Sequence, residues 1–499
     1  MRERFVEAFV KEAWHKKDFF KEKGSSVTTL YIGGGTPSVL LPAQLEAIVH
    51  GVTEAFGLVL PNGNQPKKSV GENYIEEFTI EVNPNDITPD YAAFLAKIGV
   101  NRVSMGMQSF VDSHLKWMNR RHSSQEGIQA YRILREAGIK NISLDLIFGY
   151  SSLSDKEWEY NIDTMVSLAP EHISAYQMSI EPGSALGAMA SKGVYEPLSD
   201  EECEKQYLLL QKKLSEAGYV QYEISNFAKP DKTSKDSAGR LESLQEQCWR
   251  SAHNSSYWDG TPYLGLGPAA HSFTGKDASG GARRLWNNPS VKKYCSYYCG
   301  DNHPEDSAVA VSFAAEFAES NVSQFFAGPN VSQHFAEGIA GYEELTVEDI
   351  FNETIMLGLR RTCGFPLDSL ASLDASLLHQ IIPDINRLVM SGQLIMEDHR
   401  DSQHLGSSPA LGASQDLGSS PVLGASSACV DSQLPGESQF PRESQFLGES
   451  QFLGAYLPLE ESGAPARTEV SAEAISGKKI RIPASKLFIS DSIIRELFV

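Results

Sequence analysis

Three consecutive glycines, Gly33-Gly34-Gly35, follow directly on the apolar run Thr28–Ile32, and Thr36-Pro37 complete the group. Glycine weakens a strand end and adds nothing to a core, so three together need a reason. Backbone without a Cβ can approach a ligand closely and adopt conformations that other residues avoid. Polar groups recur at the ends of the next apolar runs. Glu81 stands in Glu-Val-Asn-Pro, Gln108 in Ser-Met-Gly-Met-Gln-Ser-Phe and Asp145 in Ser-Leu-Asp-Leu-Ile-Phe-Gly. Burying one such group without a partner costs roughly 1–3 kcal/mol. One can be a satisfied core polar; three on successive strands point to a shared polar ligand. Arg120, further along, supplies a charge suited to a carboxylate.

A second constellation is His253-Asn254-Ser-Ser-Tyr257-Trp258, within an aromatic- and glycine-rich stretch that runs to Asn287. Imidazole is a common haem-iron ligand and aromatic side chains suit a porphyrin face. The same residues also read as a packed loop whose histidine is satisfied by a backbone carbonyl. His271 is a second candidate and His122 a weaker one. Cys295 and Cys299 stand four apart, which puts both thiols on one helix face. Neither a third cysteine nor a histidine follows at ligand spacing, so the pair is read as structural and no metal site is assigned.

These residues need strands to carry them. Apolar runs at Thr28–Ile32, Phe78–Val82, Arg102–Met107, Ile142–Ile147 and His172–Met178 alternate with helical stretches at Pro42–Phe56, Pro89–Ile98, Ser124–Ala137 and Asp155–Leu168. Thr88-Pro89 reads as a cap and first helical turn, and Gly99 and Gly138 as left-handed helix ends. Repeated βα units imply a parallel sheet, and functional residues at successive strand ends favour a barrel whose loops converge on one mouth. Phe5, Phe9 and Trp14 are read as the apolar side of an opening surface helix.

The expected organisation is an α/β barrel over residues 1–190 and a central region over 191–300, with a polar insertion at 229–250. A variable insertion follows at 301–340. A small, mainly helical, winged-helix-like C-terminal domain comprises 341–400 and 469–499, closed by a helix through Ile489, Ile493, Ile494 and Leu497. Residues 401–468 are low-complexity and expected to be disordered: Leu-Gly-Ser-Ser-Pro-x-Leu-Gly-Ala-Ser begins at Leu405 and again at Leu417. A net charge of −21 disfavours nucleic-acid binding. With neither a signal-peptide core nor an apolar run of ~20 residues, the chain is read as cytoplasmic.

The set Tyr31-Ile-Gly-Gly-Gly-Thr-Pro-Ser38, Glu81-Val-Asn-Pro84, Gly106-Met-Gln-Ser-Phe110, Asp145-Leu-Ile-Phe-Gly149 and Ile180-Glu-Pro-Gly183 resembles radical S-adenosylmethionine (SAM) proteins of the oxygen-independent coproporphyrinogen oxidase family. Tyr222-Glu-Ile-Ser-Asn-Phe-Ala228, His253–Trp258, Tyr263–Phe273 and Glu353–Arg360 are similar to its HemW-type haem chaperone branch. The resemblance implies an open (β/α)6 barrel. Gly34, Gly35 and Thr36 would approach the methionyl end of SAM, while Glu81, Gln108, Arg120 and Asp145 would hold its polar groups. It links His253, Asn254, Tyr257 and Trp258 to haem binding, and implies haem-acceptor proteins, some of them membrane-associated and respiratory, as partners. It also implies a [4Fe–4S] cluster on a Cys-x-x-x-Cys-x-x-Cys loop after the first strand. The earliest cysteine here is Cys203, so the cluster ligands are absent, and a truncated record lacking that strand and loop is expected. The barrel edge is then expected to be unpaired. The function implied is a haem chaperone binding haem and SAM. The alternatives are oxidative decarboxylation of coproporphyrinogen III and a cluster-free haem-binding module.

Overall fold

A computed structural model describes residues 1–20, 26–61, 73–230, 249–276, 281–300, 339–399, 422–426 and 475–499. Most of the expected insertions at 229–250, 301–340 and 401–468 therefore lie outside the described residues. Alternation of polar and apolar residues builds a parallel sheet with two unlike faces. Its first strands are β1 (Thr29–Gly33), β2 (Glu77–Val82), β3 (Arg102–Gln108), β4 (Asn141–Phe148) and β5 (His172–Gln177). Thr29 is level with Glu77, and Tyr31 with Thr79 and then Arg102. Glu81, Ser104 and Ser143 form the next row, and Asp145 pairs with Ser174. These polar residues share the inner face. The intervening positions, among them Leu30, Phe78, Ile80, Val103, Ile142, Leu144 and Ile173, are buried on the other face. Helices α2 (Pro42–Phe56), α3 (Pro89–Lys97), α4 (Ser124–Glu136) and α5 (Asp155–Leu168) connect the strands.

The observed bounds differ from the expected ones by a residue at most sites, because caps set them. Thr88 Oγ1 accepts the N–H of Tyr91, and Ser123 and Ser154 form capping boxes with Glu126 and Glu157. Gly99 and Gly138 have φ of +94° and +92°, as their helix-ending role requires.

Further strands extend this sheet on both sides: β6 (Val220–Gln221), β7 (Asn226–Ala228), β8 (Tyr263–Leu266), β9 (His271–Phe273), β10 (Ala282–Asn287), β11 (Ile339–Leu345) and β12 (Val422–Ser426). The order is β11-β10-β9-β8-β12-β1-β2-β3-β4-β5-β7-β6, an open sheet of twelve strands. It runs without interruption through the two regions expected at 1–190 and 191–300. Helix α6 (Asp200–Glu216) packs on α5 and the sheet.

Strand β12 lies within the low-complexity segment and occupies the edge of β1 that was expected to be unpaired. It lies parallel between β1 and β8. Leu423 and Ala425 are level with Leu30 and Ile32 on one side and with Leu264 and Leu266 on the other. Those four neighbours are all buried. Gly424 is level with Tyr31 and Gly265. Pairing on both sides satisfies two backbone edges at once.

Helix α1 (Arg2–His15) packs against α2 and against α8 (Val291–Cys299), which follows α7 (Ala252–Trp258). Phe5 and Phe9 are buried as expected, but Trp14 is 44% exposed. Nine residues at about 100° each carry Trp14 half a turn from Phe5. Glu12 takes the inward place instead, with no exposed surface. Its carboxylate accepts from Lys16 Nζ (2.7 Å), the Gly267 N–H (2.7 Å), Asn287 Nδ2 (2.5 Å) and the Tyr294 hydroxyl (2.6 Å). The buried Lys16 ammonium also donates to Asn287 Oδ1.

The C-terminal region has the expected small, mainly helical character. Helices α9 (Val347–Leu359), α10 (Ala375–Met390) and α11 (Ser490–Arg495) pack through Phe351, Ile355, Leu388, Ile493 and Leu497. A three-stranded antiparallel sheet of Phe365–Pro366, Lys478–Arg481 and Ile395–Asp398 completes it.

Two measurements check these arrangements. Glu12→Leu leaves the Lys16 ammonium buried without its carboxylate and should cost about 3–5 kcal/mol in urea unfolding, with Glu12→Leu/Lys16→Met recovering part of the loss. Equal losses in the single and double variants would remove the ion pair from the account. Gly424→Pro takes an N–H out of the ladder, so amide exchange at Thr29–Gly33 and Tyr263–Leu266 should accelerate; unchanged protection there would remove β12 from the sheet.

Candidate ligand site in the sheet lumen

At the carboxyl ends of the parallel strands, the glycine run is fitted around a carboxylate. Tyr31 donates its hydroxyl to Glu81 Oε1 at 2.6 Å, and the Gly34 N–H donates to Glu81 Oε2 at 3.1 Å. A Cβ on Gly33 would stand 2.6 Å from the Glu81 carboxyl, and Gly34 has φ of +77°. Side chains at these two positions would therefore collide or be strained. Burial pushes the Glu81 carboxyl up, while the Tyr31 hydroxyl and the Gly34 and Gly35 N–H groups oppose that rise. Asn83 Nδ2 donates to Thr36 Oγ1 at 3.2 Å. The loops after β1 and β2 are thus knitted to each other as well as facing the lumen.

Gln108 and Asp145 line a cavity of about 260 Å³ with Ile147, Tyr176, Gln177, Met178 and Ser179. The register shifts between Met105 and Gln108, and such a bulge re-aims the following side chain. Gln108 also has φ of +64°, a conformation costing on the order of 1 kcal/mol in a non-glycine residue. Burial, and then the charge of Glu81, raise the Asp145 carboxyl to about 7, against the opposing effect of Arg102 and hydrogen bonds from Ser174 and Ser104. Burial lowers the pKa of Arg120 and the charge of Asp145 counters this, so the two side chains share a field. Two carboxylates, an amide and a guanidinium can hold the ammonium and carboxylate ends of an amino acid. Tyr176 and Gln177–Ser179 were not picked out from the sequence; their position at the end of β5, just before Ile180-Glu-Pro-Gly, was the available signal.

The residues present do not fit a three-cysteine cluster: the earliest cysteine is Cys203. Among the described residues no three His, Cys, Asp or Glu side chains are grouped to hold a metal ion. No radical step is therefore assigned to them. Cys295 is buried in α8, and Cys299 directs its thiol at the Arg4 carbonyl.

His253, expected among the haem candidates, lies inside the fold. Its ring is 3% exposed and stacked on Tyr31 at 4.6 Å. Nδ1 bonds Thr29 Oγ1 at 3.2 Å and Nε2 bonds the Tyr257 hydroxyl at 3.0 Å. Burial, and then the charge of Arg102, push its pKa down to about 3. With both nitrogens engaged and the ring enclosed, His253 packs α7 onto β1, and Tyr257 holds it there. Glu77 fixes the start of the same helix, accepting from Ser251 Oγ and from the N–H groups of Ala252 and His253. His271, in contrast, is exposed, its ring 5.9 Å from that of Trp286. His122 is buried, with Nε2 at 3.3 Å from the Met107 carbonyl.

Residues 2–165 match the radical SAM superfamily. The chain is 28% identical over 358 residues to the protein named haem chaperone HemW of Bacillus subtilis, covering 72% of this chain and 76% of that one. It is 27% identical over 374 residues to that of Mycobacterium tuberculosis, covering 74% and 78%. Similarity at 30% identity extends over 260 residues, 52% of each chain, to radical S-adenosyl methionine domain-containing protein 1, mitochondrial, of Danio rerio. In fold it is similar to coproporphyrinogen III oxidase (HemN) from Escherichia coli, a radical SAM enzyme, with a TM-score of 0.52 and 19% identity over 79% of this chain and 77% of that one.

Asp145 offers a test of the lumen. Its carboxyl deprotonates near 4 when unfolded and at about 7 when folded, so the folded chain holds the extra proton in between. Its contribution to stability therefore falls as pH rises across that window. Asp145→Asn should gain on the order of 4 kcal/mol over the parent between about pH 4 and pH 8, read by urea unfolding. An identical difference at both pH values would contradict the burial of this carboxyl.

Proposed function

We propose, on the match of residues 2–165 to the radical SAM superfamily, that the chain binds SAM in the sheet lumen and handles haem as a chaperone of the HemW type. The observation that carries this reading is the polar inner face, where Gln108 and Asp145 line one cavity and the charge of Glu81 acts on Asp145. SAM bears a sulfonium and an ammonium group, both cationic, and one carboxylate. Glu81 and Asp145 hold the cationic groups, with Arg120 taking the carboxylate. Gly34, Gly35 and Thr36 form the wall beside Glu81, where the absence of side chains on the two glycines leaves room for the methionyl end. Since Asp145 titrates at about 7, cation binding strengthens as pH rises through neutrality.

The named relatives support the haem part of the reading. His271 is the imidazole exposed to an incoming haem, and the Trp286 ring beside it offers a flat apolar surface. Reversible ligation by an exposed histidine suits cargo that is to be passed on. The recipients are haem-acceptor proteins, membrane-associated respiratory proteins among them. Among the described residues no helix is long and apolar enough to cross a membrane.

Titrating the purified chain with haem should shift the Soret band, with His271→Ala weakening binding about tenfold, a loss of ~1.4 kcal/mol. Calorimetry should show SAM binding that Glu81→Gln/Asp145→Asn abolishes. Absence of any Soret shift in the parent chain overturns the haem reading, and SAM binding unaffected by the double variant overturns the lumen assignment.

A further inference from the structure

Behind Asp145 a file of hydrogen-bonding groups leads away from the lumen. Ser143 Oγ stands 3.4 Å from Asp145 Oδ1 and 2.8 Å from His172 Nδ1, and His172 Nε2 stands 2.9 Å from the Tyr222 hydroxyl. Ser143, His172 and Tyr222 are all buried. Packing alone would be served by apolar groups, which carry no desolvation cost. The chemistry of each group fixes the sense of the file. An ionised carboxylate only accepts, so Ser143 donates to Asp145, directly or through Ser174, whose Oγ is 3.2 Å away and which also bonds Asp145. Ser143 Oγ then accepts from His172, which places the imidazole proton on Nδ1 and leaves Nε2 to accept from Tyr222. Protonating Asp145 gives it an O–H to donate and admits the opposite sense. Ser143 then donates to a bare Nδ1, and the Nε2–H donates to the Tyr222 oxygen. The imidazole is neutral in both states, since burial and the charge of Arg102 hold it well below its ordinary pKa.

We propose that Ser143, His172 and Tyr222 form a relay in which loss of the Asp145 proton moves the His172 proton from Nε2 to Nδ1 and turns the Tyr222 hydroxyl from acceptor to donor. For its ligand this rests on the lumen reading above: a cation seated at Asp145 favours the ionised carboxylate, and the relay carries that change out of the lumen. Asp145 is the one member that changes charge. The protons balance, because Ser143, His172 and Tyr222 each pass on one and receive one, and a single proton goes to water. His172 is thus a positioning residue, acting on the ligand only through Asp145. Tyr222 stands where the change can be felt elsewhere. Its carbonyl accepts the Thr362 N–H at 3.2 Å, just beyond α9, and the Arg250 guanidinium lies 5.4 Å over its ring. The charged groups that bear on the file are Glu81, Arg102 and Arg120 at Asp145, Arg102 at His172, and Glu223 and Arg102 at Tyr222.

Nitrogen-15 magnetic resonance of the full chain, labelled at histidine, reads the tautomer directly. The His172 signals are those that vanish in His172→Gln and move in Tyr222→Phe. As pH rises through about 7, where Asp145 titrates, the proton should pass from Nε2 to Nδ1 while the ring stays neutral. Asp145→Asn should abolish this pH dependence, which separates Asp145 from Glu223, a carboxyl that burial also pushes up to about 7. Saturating SAM at about pH 6 should drive the same change in the parent. Tyr222→Phe removes the donor that supports ionised Asp145, so it should weaken SAM binding about 2–6-fold near pH 7 and leave it unchanged near pH 9. A single tautomer at every pH, a charged imidazole, a change that persists in Asp145→Asn, or equal weakening by Tyr222→Phe at both pH values overturns the relay. A pH-driven change with no response to SAM leaves the relay standing and overturns the SAM reading.

Discussion

A guanidinium enclosed by protein sets the terms for everything around it. Arg102 is 3% exposed and stands on the inner face of β3, with its Nε 3.9 Å from the Glu77 carboxylate. A buried cation requires a counter-charge and neutral polar neighbours, and both are provided. Glu77 supplies the charge. His172 is held well below its ordinary pKa by burial and by Arg102, with Nδ1 bonded to Ser143 Oγ and Nε2 to the Tyr222 hydroxyl. His253 is held neutral in the same way. The field also reaches Asp145, where it partly offsets burial. Removing Arg102 would thus change the protonation of the lumen as well as its packing.

This arrangement divides the sheet into one face that folds and one that binds. The helix-facing rows are apolar and bury their area in the ordinary way. The inner rows carry charge and hydroxyl groups that fold stability alone does not need. Two buried carboxylates link this block to later parts of the chain. Glu77 ties β2 to α7, and Glu12 ties α1 to the segment before β9, to β10 and to α8. Each gathers several donors at one point, so each fixes orientation as well as proximity.

Much of the parallel block was legible in the sequence because its signals are local. Alternation placed β1–β5, and Thr88, Gly99 and Gly138 marked helix ends that depend on backbone geometry alone. The site was legible in part. Glu81, Gln108 and Asp145 stood out as polar residues at strand ends, and all three face the lumen. Glu77 and Arg102 did not, since one polar residue at a strand start reads equally well as solvent-exposed, and only the folded sheet brings the Arg102 Nε to 3.9 Å from the Glu77 carboxylate. His253 stands out by residue type, whereas its contact with Tyr257 follows from helix spacing and its contact with Thr29 from packing that the sequence does not show. Trp14 and Glu12 exchanged places for a related reason: an aromatic residue attracts an inward reading unless the helical angle is worked through. Strand β12 escaped notice because its five residues carry no strand pattern of their own within the low-complexity segment, and its pairing depends on two distant edges.

That strand bears on the order in which the molecule can be made. Thr29 and Val422 are partners in the ladder although about 390 residues separate them. Closing so long a loop carries an entropic cost that must be met before the pairing contributes anything. During synthesis β1 emerges early and β8 well before β12, so both present open hydrogen-bonding edges until the last fifth of the chain has left the ribosome. In that interval the nascent sheet is exposed to pairing with other chains. The completed protein is thereby shielded from an aggregation hazard that its own biosynthesis cannot avoid, and chaperone demand should track the time needed to translate the segment between Leu266 and Val422.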